Sequence, residues 1–371
     1  MDSNNFYGID VKIDPDGNPF LIEINGQDSG TSGFKKIYDD NRIDWAICDK
    51  IKDIVGDRRV IVYTAIPTKS PIWWRTIPFA WRFNESWDYA TEIDLKISPM
   101  WPDNDAGIVQ LKQGKSEQFE KMYGDAGLFV GFGLRNKELS VSPQLLTNPG
   151  DIETIIENKA IQDFIFSDSP LCDSIPKSLF YDIKLSSRNQ LEHLLESSRS
   201  NLFVKKRLNG KRGTDVKIIK REELEKAFVG LRKYNSKLSK WFIQLGLSLK
   251  EGKFRYSRTQ ALFQEFIPSK PIYSSQTNQQ HDGCARVIWF NGFVDAYWRL
   301  SPEPLDSNRS LSDRFRANLA QGALAQEINP EDKKIIEKFT GEVVDTFEQR
   351  MGIKDWGERQ IYRKIRDTIT S

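Results

Sequence analysis

The sequence predicts an α+β protein built from two or three structural units. Three observations carry that prediction. The chain of 371 residues is too long for one simple core. Residues 7–25 alternate polar and apolar side chains around a turn-rich centre, and residues 332–351 carry apolar side chains at helical spacing. An apolar fraction of 39% and a charged fraction of 29% belong to an ordinary globular chain.

Composition removes several function classes. No run approaches the roughly 18–20 uncharged apolar residues of a membrane helix, so no membrane partner is expected. The opening MDSNNFYGID lacks the basic and apolar regions of a secretory signal. Three dispersed cysteines, Cys48, Cys172 and Cys284, form neither a disulfide framework nor a CxxC pair. The expectation is a reduced cytoplasmic protein with incidental thiols. A net charge of +2 argues against a dedicated nucleic-acid binder. Residues 205–221 are the local exception, with eight Lys/Arg and one acid, Asp215. Two histidines, His193 and His281, cannot make a histidine-rich metal site. Oxygen ligands remain, which favour Mg²⁺ over Zn²⁺.

In chain order, YGIDVKI (7–13) and PFLIEIN (19–25) read as strands of a hairpin, with Asp14-Pro15-Asp16-Gly17-Asn18 as its turn. Gly26, Gly30 and Gly33 mark a loop. Arg42–Ile54 reads as a helix. Arg59–Thr64 and Gly127–Gly133 read as buried apolar strands of a small α/β layer. Trp73, Trp74, Trp81, Trp87 and Trp101 cluster there, as core or as a ligand platform. Helices follow at 151–165 and 187–198, then a strand at 201–205, a glycine loop at 208–214, a strand at 215–219 and a helix at 222–234. Strands are expected at 261–267, 285–290 and 293–300, the last two joined by the hairpin dipeptide Asn291-Gly292. The amphipathic helix 332–351 presents Ile335, Ile336, Phe339, Val343, Val344, Phe347 and Met351 on one face.

Three places could carry chemistry. Strand alternation points Glu23 and Asn25 the same way, with Ile22 and Ile24 packed behind, and Asp10 can project onto the same face. Two carboxylates and an amide oxygen suit Mg²⁺, although a solvated hairpin face would carry the same residues. The glycine loop after Lys205 can approach phosphate oxygens through its backbone N–H groups, but it is not a GxxxxGK[ST] loop and a plain basic hairpin is the alternative. Arg286 and Arg299, on adjacent strands, could fork onto one anion or could be surface charge. No Ser–His–Asp or Cys–His arrangement is visible, which favours phosphoryl transfer by positioning and electrostatics.

Taken in order, these pieces resemble the ATP-grasp superfamily, and within it the branch of glutathione synthetase, D-alanine–D-alanine ligase and ribosomal-protein glutamate ligase. Asn158-Lys159 with Ile175-Pro176 resembles the family's DK…IP opening, with Asn in place of Asp. Phe203-Val204-Lys205 is similar to the strand bearing the second ATP lysine, and Asn209–Thr214 to the flap over the phosphates. Residues 263–267 (FQEFI) resemble the adenine and ribose hinge. Asp282-x-x-x-Arg286, Arg299 and Asn318-x-x-x-Gly322 resemble the D-x-x-R…R…N-x-x-x-G series. Asp10, Glu23 and Asn25 match the closing D-x₁₂-E-x-N metal element, but stand before the other motifs instead of after them. Joining residue 354 to residue 6 restores the family order, which implies a circular permutation; a cut from a longer tandem protein is the rival explanation.

The resemblance implies an ATP-grasp fold, two α+β subdomains gripping ATP beside an N-terminal-type α/β domain, circularly permuted. It divides the chain into a metal-binding hairpin and loop (1–34), an α/β domain (35–150), an ATP-grasp domain (151–354) and a charged tail (355–371). It implies an ATP- and Mg²⁺-dependent ligase joining a small-molecule or peptide carboxylate to an amine through an acylphosphate. An inactive nucleotide-binding interaction module is the alternative. Lys159, Lys205, Gly210, Gly213, Glu265, Phe266, Ile267 and Asn318 would hold ATP. Asp10, Glu23 and Asn25 would hold Mg²⁺, and Arg286 and Arg299 would act in catalysis.

Overall fold

The computed structural model describes residues 4–26, 32–38, 41–64, 87–100, 126–132, 148, 156, 159–182, 188–206, 216–224, 226, 260–315, 317–319 and 322–352. Phe6–Ile13 (β1) and Pro19–Asn25 (β2) form the expected hairpin. Its turn is closed by the Asp14 carboxylate, which accepts from the backbone N–H of Asp16 at 3.0 Å and of Asn18 at 2.7 Å. Gly17 sits at a φ of 87°, a conformation a side chain disfavours.

Next come α1 (Ser32–Tyr38), α2 (Arg42–Val55), β3 (Arg59–Thr64), α3 (Trp87–Glu92), β4 (Ile97–Met100) and β5 (Ala126–Phe132). The three strands form a parallel sheet in the order β4–β3–β5. The apolar stripe of α2 (Ile43, Ile47, Ile51, Val55) packs on Val60 and Leu128 of this sheet.

The following stretch contains α4 (Lys159–Ser167), β6 (Ser178–Asp182), α5 (Arg188–Ser197), β7 (Leu202–Lys206), β8 (Lys217–Lys220) and β9 (Gln260–Glu265). These strands make an antiparallel sheet ordered β6–β9–β7–β8. Leu191 and Leu194 of α5 cover one face of it, against Phe203, Ala261 and Phe263. β7 starts and ends one residue later than the sequence suggested.

The last part holds β10 (Ile272–Ser274), β11 (Gln279–His281), β12 (Gly283–Phe290), β13 (Phe293–Leu300), α6 (Leu311–Phe315), β14 (Leu324–Glu327) and α7 (Pro330–Gly352). Asn291 and Gly292 both take positive φ, 45° and 102°, as a tight hairpin turn between right-twisted strands requires. The main sheet is antiparallel, in the order β14–β13–β12–β1–β2. The first hairpin is therefore part of the same sheet as β12 and β13, with β1 paired to β12 from Phe6↔Phe290 to Val11↔Ala285.

One face of this sheet is apolar. Tyr7, Ile9, Val11 and Ile13 pack there on Ile161 and Ile165 of α4 and on Ile336, Phe339, Val343 and Phe347 of α7. Ile335, expected on the buried stripe of α7, is 38% exposed, while its neighbour Ile336 is fully buried. Adjacent helix positions lie about 100° apart, so only one of the two can face the sheet squarely. The end of α7 meets the start of β1: Glu348 Oε1 accepts from Asn5 Nδ2 at 3.2 Å and from the Tyr7 hydroxyl at 2.9 Å.

Among the described residues, no helix is long and apolar enough to cross a membrane. The glycine loop 209–214, Trp73, Trp74, Trp81 and Trp101, most of the helix expected at 222–234 and the tail 355–371 lie outside the described residues.

Candidate functional site

The second face of the main sheet is polar at its centre. Directly opposed residues on neighbouring strands share a face, and Asp10 lies opposite both Glu23 and Arg286, while Gly8 lies opposite Asn25. Asp10, Glu23 and Asn25 thus occupy one face. The route differs from plain alternation. The register shifts between Asp10 and Val11, so that Val11 pairs with Leu21 and Ile22 is the extra residue of a bulge. Leu21 and Ile24 enter the core. Ile22, expected behind the hairpin with Ile24, instead borders a cleft.

Asp10 is buried and doubly paired. Its Oδ1 lies 2.7 Å from Arg286 Nε and 2.6 Å from Arg299 Nη2; its Oδ2 accepts from Arg286 Nη2 at 3.2 Å. Burial pushes the Asp10 carboxyl up, but Arg286 and Arg299 outweigh it and leave the group below its ordinary range. The same pair works on Arg299, where burial lowers and Asp10 more than restores the affinity for the proton. Arg299 Nη2 also reaches Cys284 Sγ at 3.6 Å, and burial pushes that thiol up, so it stays protonated and inert.

Glu23 faces the cleft between this sheet and the four-stranded one. Its Oε1 lies 2.5 Å from Lys159 Nζ. The walls include Ile22, Asp163, Lys206, Leu262 and Gln264. Lys206, buried, donates to Gln264 Oε1 at 2.6 Å. Burial pulls its pKa down, Glu23 opposes that, and Lys159 adds to the lowering. Asp163 behaves in the opposite sense: burial pushes it up to about 6, against the Ser178 hydroxyl, Lys206 and Lys177.

Lys206 is the cleft lysine of β7 that sequence reasoning missed. Lys205, the residue singled out from the sequence, is opposite Phe263, and Phe263 belongs to the core under α5. A one-residue shift of a strand exchanges its two faces. The signal was present as the doublet Lys205-Lys206, but nothing local says which lysine turns inward. Gln162 was also missed. It is buried on α4 and bonds to the backbone of Ile24 in both directions.

The hinge residues are near the site, with many groups already engaged. The Glu265 carboxylate accepts from the backbone N–H of Ser200 at 3.0 Å and of Lys177 at 3.4 Å, and from that of Arg199. Phe266 N–H donates to Leu202 O at 2.9 Å. Ile267 O accepts from Lys12 Nζ at 2.9 Å. Asp282 is paired with Lys12 at 2.7 Å and not with the arginines. Lys12 also lies 4.5 Å from the centre of the Phe266 ring. Asn318 O accepts from Ala323 N–H at 3.2 Å, across a turn in which Gly322 takes a φ of 92°. Gly210 and Gly213 lie outside the described residues.

Among the described residues no group of three or more His, Cys, Asp and Glu could hold a metal. Asp10 and Glu23 come instead as two carboxylates beside an amide. That hard oxygen set fits Mg²⁺, which commonly takes one or two carboxylates and completes its shell with water and phosphate. Among the described residues Asn25 Nδ2 is buried without a hydrogen-bond partner; as a donor it suits a phosphate oxygen or a metal-bound water and not the cation itself. Lys159 and Lys206 line the cleft with Glu23 and Asp163, while Arg286 and Arg299 converge on Asp10 of the same sheet, so cations approach the site from both sides.

No protein-family model and no curated protein matches the chain. Solved structures similar to it include a protein described as a gamma-glutamylcysteine synthetase from Methylobacillus flagellatus, at 11% identity and TM-score 0.46, covering 88% of this chain and 81% of that one. A glutathione synthetase-like effector from Globodera pallida is similar at 10% identity and TM-score 0.40, covering 88% of this chain and 74% of the other. D-cycloserine synthetase is similar at 8% identity and TM-score 0.39, over 75% and 78% of the two chains. At such identities and TM-scores these likenesses bear no weight on the chemistry of the site.

Proposed function

We propose that the chain is an ATP- and Mg²⁺-dependent ligase that joins a carboxylate to an amine and forms ADP. The observation that carries this reading is the meeting of two carboxylates and four cations from six elements: Asp10 and Glu23 between Arg286 and Arg299 on one side and Lys159 and Lys206 on the other. A buried, cation-rich cleft stabilises phosphoryl transfer by fixed charge rather than by covalent catalysis. In this reading Lys159 and Lys206 hold phosphates, the second in the role that the family resemblance implies for Lys205. Residues 265–267 hold the base and ribose, Asn318 lies at the rim, and the loop with Gly210 and Gly213 covers the phosphates. Asp10, Glu23 and Asn25 hold the metal, which when bound neutralises charge on the transferring phosphoryl group. An oxygen of the substrate carboxylate attacks the γ-phosphorus and ADP leaves. The amine nitrogen then attacks the acyl carbon and phosphate leaves. Arg286 and Arg299 stabilise the negative charge that develops in both steps.

The permuted order belongs to the same proposal. Its support is the pairing of β1 with β12 and the contact of Glu348 with Asn5 and Tyr7. One observation favours a second reading, a nucleotide-binding module without turnover: Asp10 is already committed to two arginines. Isothermal titration with Mg²⁺·ATP, followed by a hydroxylamine trap over a panel of carboxylic acids, separates the readings. The ligase binds nucleotide, loses at least about tenfold in affinity on Lys206→Ala, and forms hydroxamate with some acid. Binding without hydroxamate points to the module, and no binding at all removes both.

A further inference from the structure

Among the described residues β2 is an edge of the main sheet, where the outward N–H and C=O of its residues meet no further strand. At Ile24 a side chain takes that place. Ile24 N–H donates to Gln162 Oε1 at 2.8 Å, and Gln162 Nε2 donates to Ile24 O at 2.6 Å. The same Nε2 donates to Ile156 O at 2.5 Å. Gln162 is 6% exposed, so its amide makes these bonds in a dry setting where leaving them unmade is costly. The location is telling. Ile24 stands between Glu23 and Asn25, and the bulge at Ile22 interrupts the pairing to β1 immediately before. Inner-edge pairing therefore constrains the direction of Glu23 poorly, and the outer edge supplies the constraint. Gln162 is also one turn along α4 from Lys159, the residue that pairs with Glu23.

We propose that Gln162 is a positioning residue: its amide clamps the free edge of β2 at Ile24 and so fixes Glu23 and Asn25, one on each side, against Lys159 for a divalent cation bound with nucleotide. This rests on the ligase reading. The mechanism is orientation of ligands by an outer partner, which also limits the loss on removing it to about 10–100-fold in metal affinity. Gln162 borders the same cleft, but its amide is spent on the backbone of Ile24 and Ile156, so its removal leaves the ammonium groups of Lys159 and Lys206 in place.

The test is Mn²⁺ binding to the full chain with ADP, read by electron paramagnetic resonance, beside ADP binding without metal, read by calorimetry. Gln162→Met keeps the length and apolar volume but loses both amide bonds. The expected result is a Mn²⁺ affinity in the ADP complex at least about tenfold weaker, with metal-free ADP affinity within about twofold of wild type. Phe339→Leu, in the core under α7, is the control for lost stability and leaves both affinities together. If Gln162→Met does not fold, Gln162→Asn, which keeps the polarity and the charge but is one methylene too short for the same bonds to Ile24, carries the same comparison. Unchanged Mn²⁺ affinity, or a proportional fall in both affinities, overturns the positioning role while the ligase reading stands. Failure of the wild-type chain to bind Mn²⁺ with ADP overturns the ligase reading and the positioning role with it.

Discussion

At Asp163 the fold holds a carboxyl where its charged form is poorly solvated. Burial raises its pKa from 3.8 to about 6, and the Ser178 hydroxyl, Lys206 and Lys177 only partly offset that. A carboxyl with a folded pKa above the unfolded one adds stability at low pH, and loses that contribution as pH rises through about 6. At pH 8 the ionised group costs on the order of 1–2 kcal/mol, after discounting for its partial exposure. Asp163→Asn is therefore expected to raise Tm at pH 8 and leave it nearly unchanged at pH 4. Thermal unfolding at the two pH values checks this; equal shifts at both would show that packing, not charge, dominates. The reverse logic holds for Asp10, which its arginines keep ionised. Neutralising it would strand two buried guanidinium groups, the kind of loss that costs about 3–5 kcal/mol.

At the scale of elements, α1 is tightly constrained by a single residue. A Cβ built on Gly33 would lie 2.0 Å from a ring carbon of Tyr297. Phe34 then meets the same ring edge-on at 4.7 Å between centroids. The helix thus lies directly on β13, two residues from Arg299, because residue 33 has no side chain. Gly33→Ala is expected to cost about 1–3 kcal/mol through overpacking, measured as a lower urea midpoint at unchanged slope. A Gly33→Ala/Tyr297→Leu double variant should recover part of that loss, since the clash is with the ring itself. Wild-type stability in Gly33→Ala would mean that α1 does not pack on Tyr297 in solution. Strand β2 gives a second lesson at this scale. Its bulge lets Leu21 and Ile24, three residues apart, both reach the core, while Glu23 keeps its place opposite Asp10.

For the molecule as a whole, order along the chain and order in space are separate matters. The hairpin at residues 6–25 completes a sheet whose other strands come after residue 282, and α7 ends against the start of β1. Moving residues 6–39 behind residue 354, with the new start at residue 40, keeps every strand pairing and leaves α1 whole; it breaks the connection between α1 and α2 and makes one between α7 and β1. That rearranged chain is expected to fold with the same circular-dichroism spectrum and the same Mg²⁺·ADP affinity within about threefold, because short closures between adjacent ends change little. Circular dichroism and calorimetry on the rearranged protein check this; loss of the fold would show that the present connections are required.

Much of this was legible locally. Turn chemistry at residues 14–18 and 291–292, the apolar stripe at 332–351 and the spacing of Asp10, Glu23 and Asn25 depend on neighbours in sequence, and local sterics and periodicity are enough to read them. The approach of Asp10 to Arg286 and Arg299 was legible only as a set of matching motifs, since the two arms are 276 residues apart. What the sequence left undetermined was decided by packing. Whether Lys205 or Lys206 turns inward depends on which face of β7 lies under α5, and the exact partner of Ile22 depends on a bulge. Gln162 was invisible for the same reason: a glutamine on an amphipathic helix has no signature until an unpaired strand edge is brought against it. Residue types and spacings set which groups could form a cation- and phosphate-binding site; only the tertiary structure, through strand register and the edge it leaves open, decided which of them face one another.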